Sequence, residues 1–432
     1  MSSIRIGLVG LGTVGTGVAR ILTENAEGVR RQAGKSLEIA HVVVGDPGKA
    51  RRIDLPPGLI RGDLEELIAD RECRIAVLLV GGLEPARSIA LRLLASGKDL
   101  ITANKALLAE HGSELFDAAR AQGRSIAFEA AVAGGIPIIT NMSQCLSANR
   151  LEGLRGILNG TTNFILTCME EKSQDFAVAL KEAQRLGYAE ADPAMDVDGS
   201  DAAQKLAILA HLGFGARASW REIPRLGIDG LSPLDIAFAR ELGCRIKLIA
   251  SARLDQGRLA LGVSPALVRF GSPLAEVRQA FNAVSLRGDA VGELFYQGQG
   301  AGEKPTASAV VADIIDTAVG RAQITFGLLQ LWSDQRPAAE LADASQTKSR
   351  FYIRLTVADN PGVLAVITGI LGAHLISIAS FLQKEAAEAS GAPVTLVLMT
   401  HVASQAAATA AIKAIDQLPV TRAPSLCLPV VD

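Results

Sequence analysis

An apolar run from Ile4 to Val9 passes into Gly10-Leu11-Gly12-Thr13-Val14-Gly15 and then into a helical pattern ending near Leu22. A strand, a glycine-rich turn and a helix in that order commit the start of the chain to an α/β sheet. Each glycine has its own physical task. Gly10 permits the tight turn, Gly12 lets the backbone approach a pyrophosphate, and Gly15 lets the helix pack on the strand. The helix N-terminus then faces the phosphates with its dipole. Gly10, Leu11, Gly12, Thr13, Val14 and Gly15 are therefore candidate dinucleotide-binding residues; the rival reading is a glycine-rich turn without a ligand. The alternation continues. Leu37–Val44, Ile75–Val80, Leu100–Thr102 and Ser125–Ala130 read as strands, and Asp63–Ala69, Pro85–Ser96 and Ala106–Gln122 as helices. Asn104 and Lys105 fall at the carboxyl end of a strand, where ligands of open α/β sheets bind.

After about residue 136 the period changes. Arg245–Leu254, Arg258–Val268, Ala283–Asp289 and Gly292–Gln297 read as antiparallel strands, with Pro273–Phe281 a helix among them. Gly298 to Gly302 is another glycine-rich turn, and the helix after it packs back on the first domain. The last segment reads βαββαβ, a ferredoxin-like order. The expected fold class is α/β, with domains at 1–135 (Rossmann-type, completed by a helix at 303–320), 136–302 (mixed α+β), a linker at 321–349 whose polar part opens at Gln335-Arg336-Pro337, and 350–432. A net charge of −2 favours neither nucleic acid nor an anionic membrane. Five scattered cysteines without a C-x-x-C indicate neither disulfides nor zinc, which fits a reducing cytoplasm. Val363–Leu382 has the length of a membrane span, but Gly369, Gly372 and Ser377 interrupt it, so it reads as a helix followed by a strand.

The stretch from Arg185 to Leu206 concentrates charge. Glu190, Asp192, Asp196 and Asp198 lie in a Gly/Pro-punctuated loop where side chains can converge. Ser200 is the expected N-cap of a helix from Asp201 to Phe214. Asp201 and Lys205 are four apart and share a face of that helix. The residues after Lys205 are apolar nearly all round, and a buried lysine needs a partner. Two readings follow: a structural ion pair, or a site for a small cationic or hydroxylated substrate with Lys205 moving a proton. Glu129, in the turn Glu129 to Pro137, reads as part of a tight turn before a helix; the rival reading is an oxygen cage for a cation, made with the freed carbonyls of the turn.

These motifs together resemble the monofunctional homoserine dehydrogenases from end to end. The resemblance rests on G-L-G-T-V-G at Gly10, T-A-N-K-A-L at Thr102, E-A-A-V-A-G-G-I-P at Glu129, N-G-T-T-N-F at Asn159, G-Y-A-E-A-D-P at Gly187 and G-A-G-E-K-P-T-A-S-A-V at Gly300. The tail, with D-N-P-G-V-L at Asp359, resembles an ACT domain. The resemblance implies reversible hydride transfer between NAD or NADP and aspartate 4-semialdehyde, giving L-homoserine for threonine, methionine and isoleucine biosynthesis. It implies Lys205, Asp201 and Lys105 as catalytic residues, and Glu190, Asp196, Asp201, Tyr188 and Thr161 as substrate-binding residues. Asn104, Lys105, Gly300 and Gly302 join the first glycine turn as cofactor residues. Glu129, Val132, Gly134 and Ile136 become a site for a monovalent cation, Na or K, held largely by carbonyl oxygens. A threonine effector, a homodimer or homotetramer, and no nucleic-acid or membrane partner are also implied. Gly45 stands where many relatives carry the arginine that meets a 2′-phosphate, which predicts use of NAD at least comparable to NADP. Gln204 and Ser200 also depart from the family pattern. The rival class is a non-catalytic sensor of dinucleotide and amino acid, which would not need Lys105, Glu190, Asp201 and Lys205 together.

Overall fold

The computed structural model describes residues 3–334, 338–383 and 393–431. The chain divides into two compact units, Met1–Leu154 with Ala203–Glu222 and Phe281–Ala339, and Arg155–Ala202 with Ile223–Ala280 and Glu340–Asp432.

The first unit holds a six-stranded sheet of β1 (Ile4–Val9), β2 (Leu37–Val43), β3 (Ile60–Arg61), β4 (Ile75–Leu78), β5 (Asp99–Thr102) and β6 (Ile126–Ala127). Every pairing is parallel and the order is 3-2-1-4-5-6. This is the dinucleotide-binding order, with its crevice at the carboxyl ends beside β1. Ile6, Leu8, Val77 and Ile101 pack in the core with Val310 and Ile314 from the helix Glu303–Ala318. That helix lies so close to Thr13–Glu24 that a Cβ on Gly17 would sit 2.9 Å from Ala307 Cβ. A segment nearly 300 residues downstream of the glycine turn thus packs in the core of the sheet. The expected strand Ser125–Ala130 stops at Ala127, because Glu129–Ala131 turns into a 3-10 helix. Two helices, Ala26–Ala33 and Arg321–Leu329, escape the sequence reading.

In the second unit the hairpin Cys244–Asp255 and Arg258–Arg269 is antiparallel throughout. The expected helix at 273–281 is only Pro273–Glu276, since Val277 is already extended. The C-terminal elements are strand Lys348–Ala358, helix Val363–Ala373, strands Ile378–Gln383 and Pro393–Thr400, helix Gln405–Asp416 and strand Thr421–Val431. Their order is βαββαβ apart from a two-residue strand at Ala403–Ser404. The final strand pairs in parallel with the hairpin, Val430 opposite Leu267 and Val431 opposite Val268. Gln335, Arg336 and Pro337 lie outside the described residues. Beyond them Glu340–Leu341 pairs with Arg258 and Leu259, so part of the expected linker is a strand. The stretch at 363–382 splits into helix and strand as expected, and among the described residues no helix is long and apolar enough to cross a membrane.

A buried carboxylate joins the C-terminal elements to the rest of this unit. Ser232-Pro233-Leu234-Asp235 forms a capping box that starts the helix Pro233–Glu241. The sequence carried this signal and the reading missed it. Asp235 is fully buried and accepts from Ser232 N at 2.9 Å, Ser232 Oγ at 2.8 Å and Tyr352 OH at 3.0 Å. Arg354 Nε lies 2.7 Å from it in an ion pair. Burial, with Asp235 second, pushes the Tyr352 phenol up.

Candidate active site

The glycine turn of the first unit is built from backbone. Gly10 has φ +102° and its N–H donates to Val43 O at 2.9 Å, fixing the turn to β2. A Cβ on Gly15 would lie 2.3 Å from Gly10 O, so only glycine lets the helix start here. A Cβ on Gly12 would meet nothing within 4 Å. Gly12 is the N-cap of Thr13–Glu24 and uses no side-chain cap, so the helix N-terminus faces an open approach. This is a cradle shaped for a pyrophosphate. Beside it, Arg51 donates to Leu11 O at 3.1 Å and to Asp46 O at 2.8 Å. A guanidinium therefore bridges the glycine turn and the end of β2, next to Gly45.

Asn104 serves the scaffold. Its Oδ1 accepts from Leu107 N at 3.0 Å, and its Nδ2 donates to Val80 O at 3.0 Å and Gly82 O at 2.6 Å. This cap starts the helix at Lys105, one residue before the expected start, and leaves Lys105 half-buried at its first position. The turn carrying Gly300 and Gly302 lies against the turn after β6. Gly135 N donates to Gln299 O at 2.9 Å, and a Cβ on Gly134 would meet Gly300 O at 2.4 Å. A Cβ on Gly300 would collide with the Asn282 side chain at 2.1 Å. These glycines let two turns and a buried side chain meet.

The Glu129 carboxylate is buried and accepts from Ile139 N and Thr140 N, each at 2.8 Å, and from Thr140 Oγ1 at 2.5 Å. Glu129 N donates to Asp313 at 2.9 Å. Burial raises both carboxyls, Asp313 well above its ordinary range. With its side chain so engaged, this segment can offer a cation mainly carbonyls. Ala133 and Gly134 have positive φ, at 57° and 47°, so the turn that carries the carbonyls of Val132, Gly134 and Ile136 is irregular backbone. Carbonyl oxygens suit a hard cation.

The acidic loop of the second unit is built from side chains. Asn159 caps the helix Gly160–Lys172, its Oδ1 accepting from Thr162 N at 2.8 Å. Its Nδ2 donates to Asp196 Oδ1 at 2.7 Å and to Asp201 Oδ2 at 2.8 Å. One neutral amide thus gathers two carboxylates, an arrangement that favours a cationic ligand. Asn159 opens a helix, as the sequence predicts, but was not among the expected site residues; its place as an N-cap was the signal for its role. Thr161 Oγ1 donates to Tyr188 O at 2.6 Å, and the Tyr188 ring packs on Phe164 with centroids 4.8 Å apart.

Two other loop carboxylates, Asp192 and Asp198, are taken up by groups of their own loop. Asp192 accepts from Ala194 N at 3.1 Å, and Glu190 is exposed. Asp198 accepts from Ser200 N at 2.7 Å and Ser200 Oγ at 2.8 Å. Ser200 is therefore the first helical residue and not the expected cap, since its hydroxyl donates to the stronger carboxylate acceptor. The helix spans Ser200–Phe214. Asp201 is buried and Lys205, one turn later, is half-buried.

A Rossmann-like cofactor domain joined to a mixed-sheet domain with a carboxylate-and-lysine helix defines a nicotinamide-dependent oxidoreductase. Two family models match the chain, homoserine dehydrogenase NAD binding domain at residues 10–129 and homoserine dehydrogenase at residues 137–315. The chain belongs to the homoserine dehydrogenase family. It is 41% identical to homoserine dehydrogenase of Pseudomonas aeruginosa, over 97% of this chain and 96% of that protein. The crystal structure of a homoserine dehydrogenase from Thiobacillus denitrificans is 42% identical, with TM-score 0.93, covering 100% of this chain and 99% of that one. A hyperthermophilic archaeal homoserine dehydrogenase mutant in complex with NADPH is 26% identical, with TM-score 0.60, over 74% of this chain and 98% of that one.

Proposed function

We propose that this enzyme interconverts L-homoserine and L-aspartate 4-semialdehyde reversibly, with NAD or NADP, in the biosynthesis of threonine, methionine and isoleucine. One observation carries the reading: Asn159 gathers Asp196 and Asp201 at the start of the helix that bears Lys205. The substrate brings an ammonium, a carboxylate and an oxygen that gains a proton on reduction. Asp196 and Asp201 suit the ammonium, with Glu190, Tyr188 and Thr161 completing the substrate pocket. The nicotinamide, when bound, carries the hydride. Lys205 gives the proton to the forming alkoxide and takes it back in the oxidation direction. Asp201 orients Lys205, and Lys105 is a further catalytic lysine. The test is Lys205→Met, which should lower kcat by roughly 10²–10⁴ while cofactor binding survives.

Three further assignments belong to the same reading. Glu129, Val132, Gly134 and Ile136 hold a sodium or potassium ion through their carbonyls and thereby stiffen the turn beside Gly300. Arg51 is the cation available to a 2′-phosphate in place of an arginine at Gly45, so both cofactors are used. The C-terminal βαββαβ segment is an ACT domain that binds threonine, on a cytoplasmic homodimer or homotetramer. The working domain limits remain 1–135 with 303–320, 136–302, and 350–432. If calorimetry detects no threonine binding, the C-terminal segment serves packing alone. A chain cut near Lys348 is a poor test of that role, because it would leave Asp235 buried without Tyr352 and Arg354.

A further inference from the structure

Lys247 takes no part in the site described so far. It lies in the strand Cys244–Asp255 and is 1% exposed. Its Nζ donates to Asn163 Oδ1 at 2.9 Å and to Val277 O at 2.5 Å, both neutral acceptors. The acidic groups nearby are engaged by arginines: Glu170 by Arg245 and Arg278, Glu171 by Arg278, and Glu276 by Arg245. Burial first, and Arg278 second, bring the Lys247 amine down to about 7.

A buried amine in such a place adds little to folding, because an apolar side chain of similar volume often does as well or better. What it adds is direction. Asn163 is buried in the helix Gly160–Lys172, one turn after Asn159, and its N–H points back to Asn159 O at 3.4 Å. Asn163 O also accepts from Thr167 Oγ1 at 2.7 Å, and Thr167 Oγ1 accepts from Gln279 N at 3.1 Å. The first turn of this helix is thus pinned from below by polar contacts, while its cap reaches the two carboxylates. We propose that Lys247 is a positioning residue: through Asn163 it fixes the first turn of Gly160–Lys172, and with it the Asn159 amide that holds Asp196 and Asp201 together.

The proposal rests on the homoserine reading above, and the wild-type assay separates the two. A wild-type protein that does not turn over L-homoserine sinks the reading before any variant is compared. With wild-type turnover in hand, Lys247→Met should fold with a denaturation midpoint equal to or above wild type. Its KM for L-homoserine should rise about tenfold or more, as small displacements of positioning groups produce. Its kcat should change much less, and its Kd for NAD and NADP, read by fluorescence, should stay at the wild-type value. Asn163→Ala should show the same split, and the double variant should be no worse than the worse single one. A KM within about twofold of wild type, on the scale of ordinary surface substitutions, overturns the proposal. Additive effects of the two substitutions overturn it as well. So does a Lys247→Met chain that fails to fold or loses cofactor and substrate binding together, because the lysine would then be serving stability.

Discussion

The glycine turn at Gly10 to Gly15 and the acidic loop before Asp201 form their sites by opposite means. The turn uses absence: a missing Cβ at Gly15 lets Gly10 O come near, and a missing Cβ at Gly12 leaves the helix end open. No side chain there caps the helix. The loop uses presence: the Asn159 amide draws in Asp196 and Asp201 at 2.7 and 2.8 Å, and other loop carboxylates turn to their own backbone. A backbone site serves a cofactor whose pyrophosphate is always the same. A side-chain site can be specific for one small substrate, and each of its members can be altered without rebuilding the fold.

That contrast predicts which variants lose chemistry and which lose binding. Lys205→Met should lower kcat by roughly 10²–10⁴, the range of general acid–base catalysis, with cofactor binding intact by fluorescence titration. Near-normal kcat would remove the lysine from the mechanism. Gly15→Ala should do the reverse. Overpacking against Gly10 O costs about 1–3 kcal/mol, so cofactor Kd should weaken by about ten- to a hundredfold, while saturating cofactor restores much of the rate. Arg51→Ala should lose about 1.5–3 kcal/mol of charge-assisted bonding to a 2′-phosphate, lowering kcat/KM for NADP by about tenfold or more and leaving NAD nearly unchanged. Equal losses for both cofactors would make Arg51 a brace for the turn through Leu11 O and Asp46 O.

The two regions were also unequally legible. The parallel strands and the glycine turn follow from the strand–turn–helix spacing, and a helix after Gly302 was readable from its pattern. Lys205 and Asp201, the residues proposed for the site, were visible as charges on an apolar helix. What the spacing could not show was which acids meet. Four loop carboxylates suggested convergence, yet Asp192 and Asp198 satisfy nearby N–H groups instead. Convergence depends on Asn159, about 40 residues away in sequence, and no local period encodes that. Likewise Asp235 gave a capping-box signal for its helix but nothing about Tyr352, 117 residues on.

The smallest expected effect concerns stability in the second unit. Lys247 has a folded pKa of about 7 against an ordinary 10.5. Between those values the unfolded chain binds more protons, so stability rises with pH. The contribution is complete above about 10.5 and is lost as pH falls through about 7. Urea denaturation at pH 7.5 and 9 should give wild type the steeper rise, by at most ~1.4 kcal/mol per pH unit relative to Lys247→Met. Parallel slopes would mean that the amine stays charged in the folded protein.

The central claim is that the carboxylate-and-lysine site acts on homoserine. Absorbance at the reduced-nicotinamide band tests it directly, with purified protein and L-homoserine, and with NAD and NADP supplied separately. The account predicts reduction of both cofactors, dependent on L-homoserine and strongly reduced in Lys205→Met. No reduction of either cofactor by L-homoserine, from protein that binds the cofactor, would contradict it.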